Sequence, residues 1–180
     1  MPKISRQQVN EKLKKELGIK NTLALPRLEK VVINVGLNKS QVTPGFLEQV
    51  EKSLAALTGQ KPARRRARQA IAGFKIRRGE IVGLQVTLRG RRMEDFVIKL
   101  ANIVLPRMRD FRGLKLSSFD KDGNYTLGIA EQVVFPEITS EQAENLFGLA
   151  VTITTSAKNT QEGKALLEAW GFPFERSDRG

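Results

Sequence analysis

Residues 62–89 read Pro-Ala-Arg-Arg-Arg-Ala-Arg-Gln-Ala-Ile-Ala-Gly-Phe-Lys-Ile-Arg-Arg-Gly-Glu-Ile-Val-Gly-Leu-Gln-Val-Thr-Leu-Arg. Gly83 to Arg89 alternates apolar with polar side chains as a half-buried strand does, and 62–68 alternates more weakly, so two strands flank a connection at 69–82. Upstream, Leu28-Glu29-Lys30-Val31-Val32-Ile33-Asn34-Val35 before Gly36 is a β-branched run and reads as a strand. Between these, Thr43 and Pro44 open a helix whose apolar face is Phe46, Leu47, Val50, Leu54 and Leu57, and Gly59 ends it. Ser5 with Gln8 forms a capping box for a first helix at 6–17, carrying Val9, Leu13 and Leu17 and stopped by Gly18. Downstream, Met93, Phe96, Val97, Leu100, Ile103 and Val104 make a helix that stops near Pro106. Residues 125–135 and 149–155 read as two more strands, with a short helix opened by Ser140 between them. Asn159 caps a last helix carrying Leu166, Leu167 and Trp170, with Gly171 at its end. Strands and helices do not alternate regularly, so no parallel sheet is demanded. The expectation is an α+β fold, a mostly antiparallel sheet of about five strands with helices on one face and the other face free to meet a ligand. At 180 residues, 1–180 reads as a single domain.

The chain carries 31 Lys and Arg against 19 Asp and Glu, a formal charge of +12, so its partner is expected to be an extended polyanion, nucleic acid first. The excess is concentrated. Residues 61–92 hold Lys61, Arg64, Arg65, Arg66, Arg68, Lys75, Arg77, Arg78, Arg89, Arg91 and Arg92 against a single acid, Glu80. Such a run has no acidic partner within itself, and its self-repulsion is relieved by phosphates. Arginine outnumbers lysine in it by nine to two, which favours bidentate contact with phosphates and base edges. The half 1–92 is therefore the basic, RNA-binding half, and 114–180, with 6 basic and 10 acidic residues, is mildly acidic.

Cysteine and histidine are both absent, which excludes disulfide frameworks, zinc fingers, thiol nucleophiles and histidine bases. No apolar run approaches the roughly 18 residues that span a bilayer, and Met1–Arg6 lacks a signal-peptide core, so a cytoplasmic protein without membrane contact is expected. No glycines stand in a G-x-G-x-x-G or G-x-x-G pattern, and Gly163-Lys164 has Lys158 where a P-loop needs glycine. Asp120-Lys121-Asp122-Gly123-Asn124 is like a calcium loop with its glycine misplaced, and reads as hairpin-turn chemistry. Asp120, Asp122 and Glu131 are the loosely clustered acids a metal-dependent nuclease would use, but they lie outside the basic segment. No enzyme, metal or cofactor is expected. Phe74, the sole aromatic of the basic segment, is either a core contact or an RNA contact; one aromatic suits folded RNA held by shape better than a single strand. Beside the nuclease, two readings stay open: a ribosomal RNA-binding structural protein, or a general basic RNA chaperone.

Particular blocks narrow this. Leu-Thr-Gly-Gln-Lys-Pro at 57–62, Ile-Ala-Gly-Phe-Lys-Ile-Arg at 71–77, Val-Thr-Leu-Arg-Gly at 86–90, Leu-Pro-Arg-Met-Arg-Asp-Phe-Arg-Gly-Leu at 105–114, Ser-Phe-Asp-Lys-Asp-Gly-Asn-Tyr-Thr-Leu-Gly-Ile at 118–129 and Gly-Phe-Pro-Phe at 171–174 resemble, in unbroken order, the bacterial form of the large ribosomal subunit protein five family. The resemblance implies a noncatalytic constituent of the central protuberance, bound to 5S ribosomal RNA and large-subunit RNA and touching neighbouring large-subunit proteins. It implies RNA-facing roles for Asn34, Gln60 and Thr87, with Lys61, Arg64, Arg65, Arg66, Arg68, Arg89, Arg91 and Arg92 as the accompanying cations. The 70–82 loop, with Gly73, Phe74, Lys75, Arg77 and Arg78, is similar to the arm that reaches transfer RNA in the peptidyl site. The C-terminal side would face the small-subunit head and its protein thirteen. The run at 64–68 is richer in arginine than is usual in that family, and the first 25 residues match it weakly.

Overall fold

The computed structural model describes residues 6–37, 43–109, 111–139 and 146–175. Helix α1 (Arg6–Leu17) buries Val9 and Leu13, four residues apart and hence on one face. Strand β1 (Leu28–Gly36) buries Val31, Ile33 and Val35 and exposes Asn34. Helix α2 (Pro44–Thr58) starts where Thr43 Oγ1 accepts the Phe46 N–H at 3.4 Å and ends where Gly59, at φ 64°, turns into the left-handed region. Strands β2 (Ala63–Arg66) and β3 (Ile81–Leu88) follow, then helix α3 (Gly90–Lys99), strands β4 (Tyr125–Ile129) and β5 (Leu149–Thr155), and helix α4 (Thr160–Ala169), whose cap Asn159 accepts the Glu162 N–H at 2.9 Å. Among the described residues the strands form one open antiparallel sheet in the order β2-β3-β1-β5-β4, the α+β architecture expected.

Contacts divide the chain into two compact units. One comprises 1–31, 89–127 and 152–180, with α1 packed on α4 over a core that includes Leu13, Phe96, Val97, Leu166 and Leu167. The other comprises 32–88 and 128–151; there α2 lies on β3, burying Val50, Leu54 and Leu57 with Ile33, Val35, Leu84 and Val86. Each of these aliphatic side chains contributes about 1.5–3 kcal/mol by leaving water.

One expectation about segment ends holds and two are corrected. The third helix stops near Pro106 as expected, and it gets there through a π turn, Leu100–Val104, and a final α turn, Leu105–Arg107. The wider turn, closed by the Leu105 N–H on the Leu100 carbonyl, makes room for a ring that would press on the carbonyl four residues back and has no N–H to offer it. The strand expected at 125–135 ends at Ile129, and Gln132–Val134 is a 3₁₀ turn. Gln132 is fully buried and its Oε1 accepts the Phe147 N–H at 2.8 Å, which holds the chain in the turn. Strand β2 is shorter than 62–68, so Arg68 lies beyond it, and Arg89 lies just past the end of β3. The Ser5 cap and the helix opened by Ser140 fall outside the described residues.

Candidate nucleic-acid interface

In the unit of 32–88 and 128–151, alternation along β1 and β3 turns Ile33, Val35, Leu84 and Val86 inward and leaves Asn34 exposed and Gln85 and Thr87 half-buried on the opposite face. Gln60, directly after the α2 cap, donates its Nε2–H to the Thr87 carbonyl at 3.3 Å. Two of the three predicted RNA-facing polar residues are thus joined by a hydrogen bond, and Asn34 lies on the strand next to β3. Gly83 permits the close approach of these strands: a Cβ there would stand 2.5 Å from the Val35 carbonyl oxygen. Gln85 was not among the predicted site residues. Its signal was in the sequence, two places from Thr87 and therefore on the same face.

Strand β2 pairs antiparallel with β3, Ala63 opposite Gln85, Arg64 opposite Leu84 and Arg65 opposite Gly83, with a bulge before Arg66. Opposed residues share a face, so Arg64 belongs to the α2 side and Arg65 to the open side. Accordingly Arg64 grips Glu51 of α2 through Nε and Nη2, the latter at 3.1 Å from Oε2, while Arg65 Nε donates to Gln85 Oε1. The hydrogen bond from Arg64 holds the Glu51 carboxyl below the usual glutamate range against the opposing effect of burial. The basic run, without an acidic partner for Arg64 within itself, thus finds one outside it, supplied by α2 thirteen residues upstream. Lys61, Arg66 and Arg68 are exposed, and Arg66 Nη1 reaches the Gly79 carbonyl at 3.5 Å.

The connection beyond β2 is a folded tip. Ala67 donates to the Glu80 carbonyl at 2.8 Å and accepts from Gly79 at 2.9 Å; Ile71 and Ile76 exchange N–H···O=C bonds of 3.0 and 3.2 Å. Between them Ala72–Phe74 makes a 3₁₀ turn containing Gly73, and Lys75 takes the left-handed conformation at φ 53°. Phe74 is 73 % exposed and Ile71 49 %, so the ring is not a core contact. Arg68, Lys75, Arg77 and Arg78 of the same segment are exposed, and Glu80 Oε2 accepts the Arg77 N–H at 2.9 Å.

Arg89, Arg91 and Arg92 are exposed at the start of α3, in the other unit, with Arg89 at the cap position and Arg91 3.9 Å from Asp95. Within the unit of 32–88 and 128–151, the cations of 61–78 are therefore spread over the covered side, the open side and the tip. Arg89, Arg91 and Arg92 belong to the other unit.

The Asp120 loop is closed on itself. Burial pushes the Asp120 carboxyl up, but hydrogen bonds from the Asn124 side chain at 2.7 Å, the Asn124 N–H at 2.7 Å and the Asp122 N–H at 3.0 Å outweigh it, and the net direction is down. Both carboxylate oxygens are engaged by the turn itself, and no cluster of three metal-ligating side chains exists among the described residues.

The family model described as Ribosomal protein L5 matches residues 21–77, and the companion model for the C-terminus of the same ribosomal family matches 81–174. The chain is similar to the large ribosomal subunit protein uL5 of Dichelobacter nodosus, 46 % identical over 174 residues that cover 97 % of each chain. It is 47 % identical over 169 residues to that of Anaeromyxobacter sp. (strain K), covering 94 % of each. To that of Pseudothermotoga lettingae it is 50 % identical over 169 residues, covering 94 % of this chain and 92 % of the relative.

Proposed function

Because the chain belongs to the ribosomal protein L5 family, we propose that its open β1–β3 face and β2 edge bind 5S ribosomal RNA, and that the tip at 67–80 meets transfer RNA in the peptidyl site. The family is structural and non-enzymatic; the chain is an rRNA-binding constituent of the large subunit of the cytoplasmic ribosome and serves translation. The observation that carries the 5S reading is the neutral polar face. Asn34, Gln85 and Thr87 offer amide and hydroxyl groups suited to 2′-hydroxyls and shallow-groove base edges, and Gln60 holds the Thr87 carbonyl. Arg65, Arg66 and Arg68 at its border supply phosphate contacts that position without reading sequence. At the tip, a segment that exposes one ring and four cations has the composition of a contact to bases flanked by phosphates. The acidic 114–180 part suits a protein partner better than RNA, which supports a contact with protein thirteen of the small-subunit head. Titration of the full chain with purified 5S RNA, with transfer RNA as competitor, tests the first reading. A saturable one-to-one complex that survives excess transfer RNA is expected; equal affinity for both RNAs would identify a general chaperone instead.

A further inference from the structure

Residues 105–115 hold Arg107, Arg109, Arg112 and Lys115 against one acid, Asp110, at the border of the acidic part 114–180. They belong to the unit of 1–31, 89–127 and 152–180, not to the one that carries the face assigned to 5S RNA. All four cations are exposed, and none has a carboxylate partner among the described residues. The backbone that presents them is held. Arg107 ends the final turn of the third helix, which the Met108 N–H closes on the Leu105 carbonyl at 3.1 Å. Leu114, 2 % exposed, donates to the Pro173 carbonyl at 2.8 Å and accepts the Glu175 N–H at 3.1 Å, a bridge that pins the stretch between Arg112 and Lys115. Gly113, at φ 118°, permits it, since a Cβ there would stand 2.7 Å from the Glu175 nitrogen. The Lys115 carbonyl accepts the Tyr125 hydroxyl at 3.2 Å and the Ser118 N–H at 3.3 Å, and the Tyr125 ring packs edge-on against Phe119 and Phe174.

Four like charges within nine residues repel one another, and an anion from outside relieves them. Three of the four are arginines, whose planar fork meets phosphate oxygens in pairs. A protein partner would need an apolar core to bury, whereas Leu116, 39 % exposed, is the one exposed large hydrophobic side chain among the described residues of 105–119. A phosphate backbone needs no such core. We propose that Arg107, Arg109, Arg112 and Lys115 form a second RNA-binding site, a ledge that grips the sugar-phosphate backbone of folded ribosomal RNA and positions it without reading its sequence. The ledge goes beyond the 5S reading above and stands whether or not that reading holds.

Arg109→Gln with Arg112→Gln, in the full chain, removes two of the four cations. Salt titrations of this variant against purified 5S RNA and, separately, against protein-free large-subunit ribosomal RNA should show the log-log slope falling by about 1.4–1.8 on one RNA or both. The RNA that responds is the one the ledge holds. Lys12→Gln with Lys15→Gln removes the same charge from exposed positions of α1, where Glu16 and Glu11 stand four residues away, and should leave both slopes nearly unchanged. Unchanged slopes for the ledge variant on both RNAs would overturn the proposal, as would an equal fall for the α1 variant, which would show general charge at work. The chain has no cysteine, so Ser117→Cys sets a unique thiol at an exposed position beside the ledge. A photo-crosslinker attached there before assembly should join ribosomal RNA in large subunits, and a crosslink to protein alone would also overturn the proposal. Thr87→Ala tests the 5S face by itself, so failure of that face and failure of the ledge are read from different variants.

Discussion

Alternation along β2 separates two adjacent arginines by function: Arg64 is held beneath α2 by Glu51, and Arg65 lies on the face assigned to 5S RNA. Affinity for RNA depends on salt through the number of phosphates that cations neutralise, each contact adding about 0.7–0.9 to the log-log slope. Raising salt from about 50 to about 200 mM therefore weakens binding by about 2.6- to 3.5-fold for every contact. Arg65→Gln and Arg66→Gln should each remove one such factor. Arg64→Gln should leave the slope nearly unchanged, because its guanidinium is already occupied by a carboxylate. Thr87→Ala should also leave the slope alone while lowering affinity by about 2- to 13-fold, the range of one hydrogen bond. Anisotropy titrations of labelled 5S RNA at several salt concentrations measure both quantities at once. Equal slope changes for Arg64→Gln and Arg65→Gln, or a slope change for Thr87→Ala, would refute the assignment of faces.

The hydrogen bond from Arg64 places the folded pKa of Glu51 below its unfolded value, so the stabilisation is present above the ordinary glutamate range and disappears as pH falls through the folded pKa. Glu51→Gln should flatten the acid limb of the stability curve, and an unchanged limb in thermal melts across pH would contradict the pairing. Phe74→Ala should speed dissociation of peptidyl-site transfer RNA from reconstituted ribosomes by about 5- to 150-fold, with Phe74→Trp close to the parent; parent-like rates for the alanine variant would remove the ring from the contact. Gly83→Ala forces a Cβ to 2.5 Å from the Val35 oxygen, whereas a Cβ at Gly36 meets nothing within 4 Å. The first substitution should lower the melting temperature by about 2–12 °C and the second far less, and equal melting points would show that the strands are not that close. Replacing Arg65 and Arg66 by threonine should allow the exposed β2 edge to pair with a second copy, so a strictly monomeric variant in sedimentation would deny the edge its protective charge.

The parts of the fold legible in the sequence are those ended by local chemistry. Thr43 and Gly59 bracket α2, and Asn159 opens α4, because capping is an interaction between residues a few places apart. Segments ended by distant partners were misread. Nothing near Gln132 signals that the Phe147 N–H will bind its side chain. The tip at 67–80 hid for a related reason. Its 3₁₀ turn is followed by a left-handed Lys75, while Gly73, the residue a reader would pick for that turn, has no positive φ; the tip's one positive-φ glycine is Gly79.

The site was legible in its kind but not in its arrangement. Charge along a chain is one-dimensional, and a strand sends its successive members to opposite faces, so a run of arginines could not show which would meet RNA. The same run meets two physical demands at once. An outermost strand with all four residues exposed invites pairing with another chain unless charge and a bulge blunt it, and phosphate contacts need the same guanidiniums. Composition alone cannot separate these demands, since both predict Arg-Arg-Arg. Partners can separate them: Arg64 answers to Glu51 within the fold, whereas Arg68, exposed beyond the strand end, has no carboxylate partner among the described residues and is left to an anion from outside.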